Sequence, residues 1–139
     1  MRFIDSNVFL HAFLKPRREL TQKEQDIKEK AKRIIEDIEA GEEVATSTVH
    51  ISEVVNIVES GLGLQKSLGL LAWAVSRPNI KIHPTHPQDY ENALPIAEQN
   101  AVSANDALAY TLMKQHGIDE IFTFDNHYDQ LDEVIKLPP

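Results

Sequence analysis

Apolar residues recur along this chain with two different periods, and the switches between them mark out its elements. Arg2 to Ile4 is a short apolar run suited to a buried strand, and it stops at Asp5. Val8, Phe9, Ala12 and Phe13 then return at helical spacing. Lys15-Pro16-Arg17-Arg18 breaks that helix and makes a basic loop. Thr21-Gln22-Lys23-Glu24 has capping-box form, and Ile27, Ala31, Ile34, Ile35 and Ile38 follow as one stripe on a helix closed by Gly41. Glu43 to Thr46 reads as a second strand, and Thr48 opens a helix whose stripe is Ile51, Val54, Val55 and Val58. Gly61-Leu62-Gly63 turns the chain into a further helix, Leu64 to Val75, ended by Pro78. Ile80 to His83 is a third strand. Pro87 to Gln99 reads as helix, with Pro95 demoting its second half. Ser103 starts a helix through Gln115 that Gly117 ends; Ile121 to Phe124 is a fourth strand and Val134 to Leu137 a weaker fifth.

Strands this short, alternating with helices, predict an α/β domain. A central, mostly parallel sheet of four or five short strands would be covered by helices on both faces. Neither a repeat nor a long linker divides residues 1–139, so a single domain is expected.

Composition narrows the chemistry. The 139 residues include no cysteine, which excludes disulfides and thiolate metal sites. With no secretory signal and no apolar run long enough to span a bilayer, a cytoplasmic protein is expected. Net charge is −8, which weighs against the broad basic footprint of a tight nucleic-acid binder. It leaves room for an enzyme that touches RNA briefly, since cations bound in an acidic site would cancel part of that charge. The chain has no Gly-rich phosphate loop, no serine in a nucleophile-elbow context and no cysteine nucleophile. Triphosphatase and covalent-hydrolase readings therefore lapse.

Ligands of open α/β sheets bind beyond the carboxyl ends of the strands, so the acids at those ends are the ones to weigh. Asp5 follows the first strand and Asp125 the fourth; Glu53 lies in the second turn of the helix after the second strand, and Asp106 opens the helix before the fourth. Singly, each has a local reading. Asp5 can cap a helix, Asp106 completes the capping box of Ser103-Ala104-Asn105-Asp106, Glu53 sits off its apolar stripe, and Asp125-Asn126 can open a turn. Together they can form one oxygen-rich site. Neighbouring carboxylates repel unless a cation intervenes, and oxygen donors without cysteine select Mg2+ or Mn2+. The chemistry such a site implies is hydrolysis of a phosphodiester.

The ordered set FIDSNVFL, SEVVN, NDALAY and TFDNHYDQL resembles the PIN domain over nearly the whole chain, and in particular its VapC-type toxins. The resemblance implies a three-layer α/β/α domain and a Mg2+- or Mn2+-dependent endoribonuclease, the toxin of a type II toxin–antitoxin pair. It implies that Asp5, Glu53, Asp106 and Asp125 are the catalytic, metal-binding acids. Asp5 and Asp106 would be the principal anchors, with Asp125 and Glu53 binding directly or through water. Ser6, Asn7 and Thr123 would support them, Tyr128 would fill the aromatic position after the last acid, and Asp129 would be a further acid nearby. Cleavage by that family's mechanism leaves 5′-phosphate and 3′-hydroxyl ends. A homodimer and a small antitoxin protein are the partners implied beside the RNA substrate. Two alternatives stay open: a PIN-type nuclease of RNA processing or decay without an antitoxin, and a non-catalytic RNA- or protein-binding scaffold.

Other residues carry weaker signals. His50-x-x-Glu53 places two potential ligands on one helix surface, while His127, His83 and His86 have no assigned place. Lys15, Arg17 and Arg18 make a compact basic patch, a candidate phosphate contact if RNA is the substrate. The helix from Leu64 to Val75, with Trp73, is apolar almost all round and reads either as a buried helix or as an interface.

Overall fold

The computed structural model describes residues 1–139. Its elements run β1 (Arg2–Ile4), α1 (Ser6–Phe13), α2 (Gln22–Glu39), β2 (Val44–Ser47), α3 (Thr48–Leu62) and α4 (Leu64–Ser76). They continue through β3 (Ile80–His83), α5 (Pro87–Asn100), α6 (Ala104–Gln115), β4 (Glu120–Phe122), a 3₁₀ turn (Asn126–Gln130) and β5 (Ile135–Leu137). The five strands form one parallel sheet in the order β3-β2-β1-β4-β5. The expected α/β architecture is thus present, and the fifth strand is real.

Strand periodicity divides the core. Phe3, Ala45 and Ile121 point to the face covered by α5 and α6. Ile4, Val44, Ile80 and Phe122 point to the opposite face, covered by α1, α2 and α3. Both core-facing residues of β1 are fully buried, which places this strand at the centre of the sheet. From β1 the chain winds outward to β2 and β3, then returns across the sheet to β4 and β5. The strand order therefore reverses between β1 and β4, and a crevice opens there beyond the strand ends.

The capping box at Thr21 and Glu24 forms as expected, and Gly41 takes φ +115° just after α2, a conformation that strains any residue with a Cβ. Two expectations need correction, and one open alternative is decided. The fourth strand stops at Phe122 and does not reach Phe124. Thr123 still donates its N–H to Leu137, but the next amide, Phe124 N–H, turns to the Asn7 side chain. Helix α5 continues through Pro95 to Asn100, because Pro95 and Glu91 lie on the exposed side, where water can satisfy the freed carbonyl. Helix α4 buries only Ser67 and Ala74, leaving Leu64, Leu68 and Val75 exposed, so it is not an ordinary buried helix. No helix is long and apolar enough to cross a membrane.

Candidate active site

Asp5 leaves the carboxyl end of β1 at the point where the strand order reverses, and its extended backbone makes it the N-cap of α1. One carboxylate oxygen accepts the Ser6 N–H at 2.8 Å, and the other accepts the Thr123 hydroxyl at 2.8 Å. Only 5% of the residue is exposed. Burial pushes its carboxyl from the ordinary 3.8 up to about 7; the Thr123 and Ser6 bonds oppose that rise, and the Asp106 and Glu53 charges add to it.

Thr123 is the hub beneath this acid. While donating to Asp5, its hydroxyl accepts from Asn7 Nδ2 at 3.3 Å and from the Asp125 N–H at 3.0 Å. Asn7 in turn accepts the Phe124 N–H at 3.3 Å. The first turn of α1 and the exit from β4 are thereby locked together, and Asp125 is held in register with Asp5.

Glu53 arrives from α3. It accepts the Ser6 hydroxyl on Oε1 and the Asn105 amide on Oε2, the latter at 3.1 Å. Asp106 sits in the first turn of α6, where Ser103 caps the helix by accepting the Asp106 N–H at 3.1 Å. Asp106 is 6% exposed, and its Oδ2 has no hydrogen-bond partner. Burial first, and the neighbouring Asp125 second, hold its carboxyl above the usual range. Asp125 accepts the His127 N–H at 2.8 Å, closing the turn its sequence predicts. The same turn swings the His127 ring over the acids, with Nδ1 3.1 Å from Asp125 Oδ1 and 3.4 Å from Asp106 Oδ2.

All four acids, with Ser6, Asn7, Ser103 and Asn105, line one cleft of about 200 Å³. Within it they divide into two groups. Asp106, Asp125 and His127 each offer a ligand atom within 4.8 Å of the others. Asp5 and Glu53 lie alongside with their oxygens engaged by the protein. Tyr128 is 1% exposed, and its hydroxyl has no hydrogen-bond partner. Burial, then the charges of Asp5, Asp106 and Asp125 and the hydroxyl's approach to the Asp106 carboxyl, push that phenol well above its ordinary value.

The remaining candidates lie elsewhere. Asp129 pairs with Lys136 at 3.1 Å. His50 does not form a site with Glu53: it is buried, its Nδ1 lies 2.6 Å from Ser47 Oγ, and it packs edge-on against Phe3. Burial depresses it to about 4, so it is a neutral core residue. His83 stacks on His116 at 3.7 Å, and His86 starts α5, where its N–H donates to Asp89. Arg18 grips Glu24 through two bonds of 2.8 and 2.6 Å. Lys15 borders a separate hollow, and none of Lys15, Arg17 and Arg18 lines the acidic cleft. Sequence reasoning missed Asn105 and left His127 unplaced; their adjacency to Asp106 and Asp125 was the available signal.

The chain is thus an α/β domain with an acidic cleft where its strand order reverses, and comparison with known proteins supplies the family. The PIN domain model matches residues 2–134, so the chain belongs to the PIN domain family. Its fold is shared by VapC20 of Mycobacterium tuberculosis, described as a sarcin-ricin-loop-cleaving toxin, at 17% identity and a TM-score of 0.74 over 95% of each chain. A toxin–antitoxin complex from Klebsiella pneumoniae is similar at 15% identity and a TM-score of 0.66, covering 97% of this chain and 96% of that one. VapBC2 of Rickettsia felis, solved on a promoter DNA fragment, has 15% identity and a TM-score of 0.65 over 97% and 96% of the two chains. A search of curated protein sequences finds no significant match.

Proposed function

We propose that this chain is a divalent-cation-dependent endoribonuclease and the toxin member of a toxin–antitoxin pair. The observation that carries the reading is convergence: four acids far apart in sequence meet where the strand order reverses, and one of them keeps a buried oxygen without a partner. The donor set fits Mg2+ or Mn2+, being carboxylates and one imidazole with no thiolate. Such a cation, once bound, makes water nucleophilic near neutral pH and stabilises the charge that develops in an in-line phosphoryl displacement.

The protein's part is to hold and orient. Asp106, with one oxygen unpartnered, and Asp125, whose ligand atom lies within 4.8 Å of it, are the natural direct ligands. Asp5 and Glu53, whose oxygens already accept hydrogen bonds, suit contact through water, a division that differs from one with Asp5 as a principal anchor. Thr123 and Asn7 fix the spacing of Asp5 and Asp125, while Ser6 and Asn105 fix Glu53. That all four acids are present favours a nuclease over a scaffold. Products would carry 5′-phosphate and 3′-hydroxyl ends.

The partner reading draws support from a hollow of about 520 Å³ lined by Phe13, Val58, Leu62, Leu70 and Trp73, apolar surface suited to a partner helix. Toxin–antitoxin complexes among the proteins of like fold favour an antitoxin as its occupant. The exposed apolar residues of α4 favour a homodimer, which a solution mass measurement tests.

The deciding experiment incubates purified protein with structured RNAs, with and without Mg2+ or Mn2+, beside Asp5→Asn and Asp106→Asn. Cation-dependent internal cleavage that both substitutions abolish is expected. Cleavage in the presence of chelator, or full activity in both variants, would overturn the reading.

A further inference from the structure

The ring of His127 stands against two of the acids. Its Nδ1 stands 3.1 Å from Asp125 Oδ1 and 3.4 Å from Asp106 Oδ2. Neighbouring ligands of an octahedral ion with bonds of about 2.1 Å lie about 3.0 Å apart, so these separations suit a shared coordination shell. The turn that carries the ring is fixed beside the acids, since the His127 backbone N–H donates to Asp125 at 2.8 Å. A second feature marks the same spot: Asp106 Oδ2 is buried and has no hydrogen-bond partner. A buried carboxylate oxygen left unpaired costs folding free energy unless something fills its coordination.

We propose that His127 is a nitrogen ligand of the divalent cation, and that it biases the site toward Mn2+ over Mg2+. The inference rests on the reading that the cleft binds a divalent cation, and adds a ligand to its four carboxylates. Mg2+ is a hard ion that takes oxygen ligands and keeps its waters, whereas imidazole nitrogen suits transition ions. Three donors, Asp106, Asp125 and His127, would then hold the ion together. The remaining positions are left to water, to substrate oxygen and to contacts relayed by Asp5 and Glu53.

The test uses the full chain, stripped with chelator, and reads binding without reference to cleavage. Mn2+ is titrated by electron paramagnetic resonance, nitrogen coupling to the bound ion is read by electron spin-echo modulation, and Mg2+ is added as competitor. Wild type is compared with His127→Ala, His127→Gln and Asp106→Asn, each checked for folding by circular dichroism. Bound Mn2+ in the wild type should show a directly coordinated nitrogen. That signal should vanish in both His127 variants, Mn2+ affinity should fall by about tenfold or more, and Mg2+ affinity should change by less than about twofold. Nitrogen coupling absent from the wild type, or retained in both variants, overturns the ligand assignment while leaving the cation reading intact. A wild type that binds neither ion, or an Asp106→Asn variant that binds as well as wild type, overturns both.

Discussion

Replacing Asp5 by Asn separates the two jobs this residue holds, because stability and activity should move in opposite directions. Asn is as good an N-cap as Asp, and its Oδ1 can still accept the Ser6 N–H at the start of α1. Its amide replaces the oxygen that now accepts the Thr123 hydroxyl, and because that hydroxyl already accepts from Asn7 and from the Asp125 N–H, this bond is lost at a cost of about 1 kcal/mol. What the substitution removes is a charge that burial disfavours. The folded carboxyl titrates near 7 against an ordinary 3.8, so the folded state holds a proton there that the unfolded chain has released. Stability is therefore lost as pH rises from about 4 to 7, and the loss is complete above that. At roughly 1.4 kcal/mol for each pH unit between the two values, the ceiling is about 4 kcal/mol; the group is almost fully buried, so solvent screening takes little from it. Urea denaturation in chelator should show Asp5→Asn ahead of wild type by up to about 3 kcal/mol at pH 8, and about level with it at pH 4.5. The same variant should lose cation-dependent cleavage. A variant no more stable than wild type at pH 8, or one with the same advantage at both pH values, would refute the burial argument. A variant that is more stable and still fully active would refute the role of Asp5 in the site.

Three further outcomes follow from the geometry. Tyr128→Phe removes a buried hydroxyl without a hydrogen-bond partner and should stabilise the protein by about 1 kcal/mol in denaturant titrations; destabilisation of that size would mean the hydroxyl is satisfied. Asn105→Ala frees one oxygen of Glu53, a partly exposed acid that water can reach, so stability should hold within about 1 kcal/mol while cation affinity, read by calorimetry, falls by about tenfold. Arg17→Ala/Arg18→Ala should flatten the salt dependence of RNA binding if the basic loop touches phosphate. Because Arg18 is engaged with Glu24, most of that effect should persist in Arg17→Ala alone.

The elements were legible in the sequence because each advertises itself over a few residues. The stripe from Ala31 to Ile38, the Thr21–Glu24 capping box and the short runs at Arg2–Ile4 and Ile80–His83 all depend on local periodicity, and all appear in the fold. Errors arose where a neighbour overrode the local signal. Phe124 leaves the sheet because the Asn7 side chain claims its amide, and Pro95 stays helical because solvent satisfies the carbonyl it frees. Helix α4 reads from sequence as either buried or an interface; it packs Leu70, Trp73 and Ala74 inward and leaves Leu64, Leu68 and Val75 exposed, which only the tertiary structure could show.

Sequence by itself therefore determined most of the elements, the α/β fold class and the four acids to weigh near its strand ends. Only the tertiary structure decided what each acid is free to do. Asp5 and Glu53 spend their oxygens on Ser6, Thr123 and Asn105, whereas Asp106 keeps one buried oxygen unpaired and faces His127 across about the width of a shared shell. Hydrogen-bond partners more than a hundred residues distant, such as Thr123 to Asp5, leave no trace in periodicity or spacing. They exist because the strand order reverses between β1 and β4, which brings the two ends of the chain to one crevice.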